Sequence, residues 1–570
     1  MVDPVVPPFL PVLLAAVLLP FVGRKIGHAL GILATAAVVP YVWLSPEGQH
    51  LPVSLFGFDA VLYNVDGFST LMGLIFGFIG AVAVLYSLYS NADSIQTAFA
   101  LSYVGTSLGA VFGGDWLTLI VFWELMAVTS TLLVWYYGGR AVRAGFRYAL
   151  LHGVGGTLLL GAVVWHYVEA GSFLFSATSG GMAGEIAPIL AAIGIGVNVG
   201  FVGLHAWLPD TYPRPHIAAS VFLCVYTTKT GVYGMYRVFP DGELAIAYMG
   251  ALMAVFGASM ALLQSDMRRL LSYHIQSQVG YMVAGVGIGG ALATGGAFGH
   301  VFNHILYKSL LFMTVGVIIF RTGEENLKKV GGLAREMPIT TITFTIAALS
   351  IAGFPGFNGF VSKGMVLSAA HKKHLDVLWY LLLAGGVGTF LSFIKLGYGA
   401  FVEGEYDSSV KDANRGQSVG MILVAGLCVF YGLFPSALFA ILPTEGFHYT
   451  TYTLGHIEEG LALAAIAAVG YVFLKKPLKK VGRVPDIDSL YNPVALYGTR
   501  AVVVGTTNLY AGVDRAVVKV SRVSTDVVTH PDSALGRLTG HDHVRLSAGI
   551  GMSVVLVVLV LVSILTLMLV

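Results

Sequence analysis

The sequence predicts an all-α polytopic membrane protein. Of its 570 residues, 56% are hydrophobic and only 11% are charged, and the mean hydropathy is +0.80. The apolar segments are continuous runs of about 18–25 residues, the length that a helix needs to cross a bilayer, whereas the strands of a membrane barrel alternate polar and apolar residues. We therefore expect about 14–16 transmembrane helices and exclude a soluble protein.

About sixteen apolar runs follow one another along the chain. The connections 45–66, 169–186 and 438–456 contain no Lys or Arg, whereas most other connections are basic. Because cytoplasmic loops are enriched in Lys and Arg, we expect these three connections and both termini to lie outside, with Lys372 and Lys373 as an exception. The predicted spans lie near residues 8–22, 26–44, 67–90, 96–113, 116–136, 146–168, 187–207, 217–238, 245–264, 270–291, 297–320, 339–362, 377–401, 417–437, 457–474 and 545–569.

The chain divides into four predicted segments. Residues 1–66 form an N-terminal transmembrane hairpin and an outside loop, 67–403 the core, 404–480 additional transmembrane helices, and 481–570 a surface segment with a final transmembrane anchor. Within the last segment, residues 501–520 are predicted to form an amphipathic helix along the membrane surface. Such a helix of about 20 residues would be about 30 Å long.

Two Gly- and Pro-rich stretches predict discontinuous helices. Three prolines lie within 208–215, and residues 353–359 alternate glycine, proline and phenylalanine among apolar neighbours. Irregular backbone at membrane depth is stable only where protein or a polar cavity surrounds it. Broken helices in corresponding places of two halves are typical of transporter sites, so these stretches point to a transport function.

Five charged residues lie inside apolar runs: Glu124, Lys229, Lys308, Lys363 and Lys395. A charged side chain at the centre of a bilayer costs roughly 3 kcal/mol on insertion scales. Intramembrane charges of this kind usually belong to an ion or proton path. We therefore expect such a path in this chain.

His300, His304 and Lys308 stand at positions i, i+4 and i+8 and so line one face of a helix over about 12 Å. Histidine titrates near neutral pH, which makes this face a candidate proton relay. Two alternatives are a zinc site and a structural histidine pair. Zinc proteases with this spacing carry a glutamate after the first histidine, and Val301 stands there instead.

Structural interpretations of the single charges remain open. In one such interpretation, Glu124 is a buried carboxylate that accepts a hydrogen bond from a hydroxyl such as that of Thr129 or Ser130, without any transport role. Lys363 follows the Gly/Pro stretch directly and could lie at the membrane interface. For Lys395, the structural and functional interpretations are equally supported.

His152, His205 and His274 also lie in or beside spans and are candidates of second rank. Cys224 and Cys428 lie in apolar runs and are expected to pack as small hydrophobic residues. The sequence contains no phosphate loop, dinucleotide fingerprint, haem ligand pair or iron–sulfur cysteine set. We therefore predict no cofactor, no metal, no nucleic-acid partner and no redox chemistry within the chain.

Several motifs, in this order, resemble the antiporter-like subunits shared by Mrp-type cation/proton antiporters, respiratory complex I and membrane-bound hydrogenases. They extend over roughly residues 60–400, and the overall pattern is most similar to the D-type member of the Mrp assemblies. The motifs are WEL at 123–125, HAWLPD at 205–210, TKTGVY at 228–233, RRLLSYH at 268–274, SQVGY at 277–281, HILYKSLLF at 304–312 and AGFPGFNGFVSK at 352–363.

The resemblance implies two inverted five-helix units, each with a broken helix, and a central row of charged residues joined by water. Glu124 would be the glutamate of the fifth helix and Lys229 the lysine of the eighth. Lys308 would be the central lysine, and Lys363 the lysine of the second broken helix. Lys395 has no place in this pattern and would be a compensating charge.

Asn198 departs from the family pattern, which has a lysine at this position of the first broken helix. An amide can hold water but cannot carry a proton or neutralise Glu124. Glu124 would then pair with Lys229 or be protonated. This departure puts a Glu–Lys switch in doubt for this chain.

The expected function is that of a proton-translocating subunit of a multisubunit Na⁺/H⁺ antiporter in the cell membrane, with other membrane subunits as partners. One alternative is a redox-driven pump subunit of a complex I-like or hydrogenase assembly. The short predicted surface helix argues against it, because some complex I subunits have a long lateral helix. Further alternatives are an energy-coupling partner for inorganic-carbon uptake and a non-conducting scaffold, which Asn198 favours.

Overall fold

The computed structural model describes residues 6–406, 409–482, 484–531, 533, 536–537, 540 and 550–568. The chain forms two compact units, Met1–Pro485 and Asp486–Val570. The predicted all-α membrane class is confirmed, since ten helices of the described residues are long and apolar enough to cross a membrane. Four shorter apolar helical stretches lie at Phe9–Phe21, Ile186–Val199, Pro338–Ala352 and Val554–Thr566.

The first unit is helical apart from one hairpin. Its helices α1 to α19, in chain order, are Phe9–Leu18, Arg24–Leu44, Gly67–Tyr89, Ser94–Phe112, Trp116–Trp135, Arg140–Ala170, Ile186–Val199, Trp207–Thr211, Ile217–Leu223, Tyr226–Val238, Leu244–Leu262, Met267–Ile288, Ala291–Thr322, Pro338–Ala352, Asn358–Lys372, Asp376–Gly397, Arg415–Leu433, Pro435–Phe439 and Leu454–Lys480.

A β-hairpin occupies the predicted outside loop between α2 and α3. Strands β1, Gly48–Leu55, and β2, Phe58–Val65, pair antiparallel. Asp115 joins this hairpin to α5: one carboxylate oxygen accepts from the Val61 N–H at 2.6 Å, and the other caps the helix by accepting from the Thr118 N–H at 2.7 Å. An aspartate at an N-cap satisfies amide groups that the helix itself leaves free.

Helices α12 and α13 form the centre of the first unit. Every residue of α13 from Ala293 to Ile318 is buried. Besides its neighbours α11 and α13, α12 contacts α7, α8 and α10 of the first half and α15 and α16 of the second. Polar residues on these two helices therefore reach both halves of the unit without meeting lipid.

Both predicted discontinuous helices are present, but the first break lies earlier than the prolines. α7 ends at Val199 and α8 begins at Trp207, so the break precedes 208–215. The cause is Gly200, which has a left-handed φ of 80° that favours glycine. The prolines instead limit α8 to five residues. The second break, between α14 and α15, lies within 353–359 as predicted.

The two breaks share one loop design. Each has the sequence Gly-Phe-x-Gly, with φ of 80° and 98° at Gly200 and Gly203 and of 85° and 94° at Gly353 and Gly356. In each, the N–H of the phenylalanine bonds the carbonyl five residues before it, at 2.8 Å in the first loop and 3.0 Å in the second. These are Schellman ends, which close a helix with a left-handed glycine.

A third interruption was not predicted. The run 217–238 is two helices, α9 and α10, separated at Cys224 and Val225. The Tyr103 hydroxyl bonds the backbone N–H of Thr227 at 2.8 Å and its hydroxyl at 2.5 Å, and the Tyr148 hydroxyl lies 3.1 Å from the same Thr227 oxygen. Buried tyrosines thus replace the backbone bonds that the interruption removes.

The second unit contains α20, Asp488–Thr529, and α21, Ile550–Met568. The predicted length of about 20 residues for the surface helix is wrong, because α20 has 42 residues and is about 63 Å long. Pro493, the sixth residue of α20, removes one backbone hydrogen bond but does not end the helix, and neither do the glycines within it. The predicted final span, 545–569, lies partly outside the described residues.

Candidate functional site

The predicted face of His300, His304 and Lys308 exists on α13, and all three side chains are fully buried. Lys308 Nζ has no hydrogen-bond partner among the described residues. It lies 5.9 Å from the centre of the Phe312 ring. A buried amine without a hydrogen-bond partner is unfavourable for folding, which indicates a role other than stability.

The two histidines have different surroundings. His300 Nδ1 lies 2.9 Å from the Ser362 hydroxyl, and its Nε2 lies 3.2 Å from the Tyr307 hydroxyl. His304 has no hydrogen-bond partner on either nitrogen among the described residues. The interpretation as a pair of satisfied structural histidines therefore fits His300 but not His304. Because Ser362 belongs to α15, this contact connects His300 of α13 to α15, next to Lys363.

Lys229 lies at the interruption between α9 and α10. Its side chain is fully buried, and Nζ donates to the Cys224 carbonyl at 2.6 Å. That carbonyl is free because the helix is interrupted there. The lysine thus stabilises the interruption and places a cation in the centre of the first half.

Lys363 lies at the second break in the same kind of environment. Its side chain is 5% exposed, and Nζ donates to the Ile351 carbonyl of α14 at 2.7 Å. The amine also lies 4.7 Å from the centre of the Tyr281 ring, a distance suited to a cation–π contact. This burial argues against the interfacial interpretation of Lys363.

Lys395 binds two backbone carbonyls, those of Leu262 at 2.8 Å and Gln264 at 2.6 Å. Leu262 is the last residue of α11, so the lysine satisfies groups that every helix end leaves free. The structural interpretation explains all of its described hydrogen bonds.

Glu124 is half-buried, and its Oε1 has no hydrogen-bond partner among the described residues. The alternative of a bond to Thr129 or Ser130 is not observed, because both hydroxyls donate to backbone carbonyls of α5. Nor does Glu124 pair with Lys229, whose amine binds Cys224. The carboxylate lies against Gly156 of α6, where a Cβ would overlap it.

Asn198 is fully buried in the last turn of α7, one residue before the helix ends at the first break. Neither its Oδ1 nor its Nδ2 has a hydrogen-bond partner among the described residues. Its Cβ packs near Gly231 of α10, two residues after Lys229. A buried amide without partners costs about 1–3 kcal/mol, so this position retains polarity at the expense of stability.

The histidines of second rank lie outside the α13 face. His152 stacks on Tyr148 with ring centres 3.9 Å apart, and its Nδ1 lies 2.9 Å from the Tyr148 carbonyl. His205 lies in the first break, where its Nδ1 accepts from the Gly203 N–H at 3.2 Å. His274 of α12 packs against Phe393, and neither ring nitrogen has a hydrogen-bond partner among the described residues.

Sequence reasoning missed the neutral polar residues of the site. Gln276 Nε2 donates to the Gly200 carbonyl at the first break, at 3.0 Å. Asn303 Nδ2 donates to the Asn358 carbonyl at 2.8 Å and to the Ser362 hydroxyl at 3.1 Å at the second. The density of Ser, His and Gln within 272–278 of an otherwise apolar run was the available signal.

The fold and the buried lysines define a multi-span membrane protein with charged side chains in its interior. Residues 113–392 match the family model described as NADH:quinone oxidoreductase/Mrp antiporter, transmembrane. The D-type component of the Na⁺/H⁺ antiporter of Alkalihalophilus pseudofirmus is 30% identical over 385 residues, which cover 64% of this chain and 77% of that one. The chain belongs to this NADH:quinone oxidoreductase/Mrp antiporter transmembrane family.

Other relatives extend the comparison. The A-type component of the same antiporter is 27% identical over 509 residues, or 76% of this chain, and the match spans 62% of that component's length. A chain of the Mrp complex from Dietzia sp. DQ12-45-1b has the same fold, with a TM-score of 0.77 and 23% identity over 92% of this chain and 62% of that one. Both the A-type and the D-type components are thus similar to this chain, and the assignment to the D type stays a prediction.

Proposed function

We propose that the chain is the proton-translocating subunit of a multisubunit Na⁺/H⁺ antiporter of the cell membrane. The observation that carries this proposal is the buried lysine row. Lys229, Lys308 and Lys363 are almost completely excluded from solvent, and none of them forms an ion pair with a described residue. Stability alone does not select such residues, because burying an unpaired charge is costly.

The proposed path runs from Glu124 and Lys229 to His304 and Lys308 and then to His300 and Lys363. A proton on one amine repels a proton on the next, because the interior screens charges poorly. Neighbouring groups therefore titrate as a coupled set, and a charge entering at one end changes occupancy at the other. The other subunits would supply the Na⁺ route or share it with this chain.

The test is proton flux in vesicles that contain the whole assembly. We expect Lys308→Ala and Glu124→Gln to reduce sodium-coupled pH change by about a hundredfold, the lower range for loss of a proton-transfer group. Lys476→Met removes an exposed lysine of a membrane helix and is the matched control. Unchanged flux in both variants at equal expression would instead support the non-conducting scaffold, which Asn198 favours.

A redox-driven assembly is the second candidate. Its support is the family itself, which includes quinone oxidoreductases, together with the 42-residue α20, which removes the argument from a short surface helix. The same vesicles distinguish the two: an antiporter responds to an imposed Na⁺ gradient, whereas a redox pump acidifies only when an electron donor is added.

A further inference from the structure

A cavity of about 370 Å³ lies between α15, α16 and α19. Lys363 forms part of its wall, so the cavity reaches the last lysine of the proposed path. Its charged and titratable lining consists of Lys363, His371, Lys372, Tyr281, His456 and Glu459. The volume is sufficient for several water molecules.

Glu459 is the one carboxylate that the described residues contribute to this cavity. It is half-buried on α19 and forms no ion pair with a described residue. Its neighbour Glu458 is exposed and does not line the cavity. A carboxylate that lines the same cavity as a buried amine is suited to exchange protons with it through water.

His456 lies on the same wall with a fixed tautomer. Its Nδ1 is 3.0 Å from the Thr450 carbonyl and 3.1 Å from the Thr451 carbonyl, so this nitrogen carries the hydrogen. Its Nε2 lies 3.3 Å from the hydroxyl of Ser368, another lining residue. Nε2 is therefore the nitrogen that is available to accept a proton.

The cavity belongs to the predicted outside face. His456 ends the connection 438–456, which contains no Lys or Arg and so is predicted to lie outside. Lys372 Nζ donates to the His448 carbonyl of that connection at 3.3 Å. The C-terminal end of α15 and the N-terminal end of α19 thus meet at the same side.

We propose that this cavity is the outer vestibule of the proton path, in which Glu459 exchanges protons with Lys363 through water. The inference rests on the proposed function. A proton leaves the Lys363 ammonium and protonates the Glu459 carboxylate, which then releases it to water outside, and the reverse sequence serves uptake. Ser368 and His456 also line the cavity and supply polar groups that water can bind.

The first test is flux in vesicles containing the assembly with Glu459→Gln. We expect a loss of about tenfold, less than the full contribution of a proton-transfer group because water still reaches the cavity. Glu458→Gln, which removes the adjacent exposed carboxylate, is expected to keep wild-type flux. Equal flux in the two variants would overturn the role of Glu459.

The second test measures access without transport. Ser368→Cys places a thiol in the vestibule, and Ala370→Cys places one two residues on at a fully buried position outside it. Cys224 and Cys428 are buried and give a low background. We expect a membrane-impermeant thiol reagent to label Ser368→Cys from outside only and to leave Ala370→Cys unlabelled.

The two proposals fail separately. If Lys308→Ala abolishes flux but Ser368→Cys is unlabelled from outside, the vestibule is wrong and the proton path remains. Labelling from inside only would also overturn the vestibule. If wild-type flux does not depend on Lys308, the proposed function fails, whatever the labelling result is.

Discussion

The first broken helix, α7–α8, and the second, α14–α15, have the same Gly-Phe-x-Gly loop but bind the freed carbonyl groups with different side chains. At the first break, Trp207 Nε1 donates to the Val197 carbonyl at 2.9 Å and Gln276 Nε2 to the Gly200 carbonyl at 3.0 Å. At the second break, the ammonium of Lys363 donates to the Ile351 carbonyl at 2.7 Å. Neutral donors are sufficient for the backbone, so the charge at the second break serves another purpose.

The charge beyond each loop also differs in sign. Asp210 stands ten residues after Gly200, the first glycine of the first loop. Lys363 stands ten residues after Gly353, the first glycine of the second loop. Asp210 forms an ion pair with Arg147 and lies 3.8 Å from Arg269. Lys363 has no acidic partner among the described residues. One break therefore ends in a neutralised, partly buried ion pair, and the other contains an uncompensated buried cation.

Replacing Lys363 with methionine should have the largest effect on this contrast. Lys363→Met removes both the carbonyl bond and the cation, whereas Gln276→Leu removes only a carbonyl bond at the equivalent break. We expect Lys363→Met to lower flux about a hundredfold. We expect Gln276→Leu to lower the melting temperature of the assembly, since it leaves a buried carbonyl unsatisfied at about 1–3 kcal/mol. Lys363→Met should lower it less, because removing an unpaired buried charge offsets the same loss. Equal flux in the two variants would mean that Lys363 serves only the backbone.

Gly156→Ala should have an intermediate effect, on the first half alone. The added Cβ overlaps the Glu124 carboxylate, which must move. Overpacking of this kind costs about 1–3 kcal/mol, and we expect proton flux to fall severalfold. Gly153→Ala, three residues earlier on α6, meets no atom within 4 Å and is the control. Matching melting temperatures and flux in the two variants would contradict the assigned position of Glu124.

The smallest effect should come from Asn198→Leu. Its amide has no hydrogen-bond partner among the described residues. We therefore expect the leucine variant to gain about 1 kcal/mol in free energy of unfolding and so to melt at a higher temperature. Its proton flux should fall. Asn303→Leu at the second break removes two hydrogen bonds and should melt at a lower temperature. A fall in melting temperature for both variants would show that the Asn198 amide is structural.

The charged row could be predicted because each member is conspicuous within an apolar run. The place of the first break could not be predicted, because three prolines are a stronger signal than Gly200, whose effect depends on its backbone angle. Gln276 and Asn303 were missed because amide side chains are common in helices. Their role depends on the backbone carbonyls at the two breaks, which become their neighbours only in the folded structure. Glu459 lies beside Glu458 near the start of the predicted span 457–474, and that position resembles an ordinary helix end.

The separation in sequence between each break and its donors has a consequence for insertion during synthesis. α7 and α14 have 14 and 15 residues, or about 21–23 Å, less than the hydrocarbon thickness of about 30 Å. Neither can be stable as a lone span. The second break is completed by Lys363, 12 residues after the carbonyl that it binds, whereas the Gly200 carbonyl must wait for Gln276, 76 residues later. The Lys363 hydrogen bond at the second break can thus form as soon as α15 is synthesised. The Gln276 hydrogen bond at the first break can form only after α12 has been synthesised.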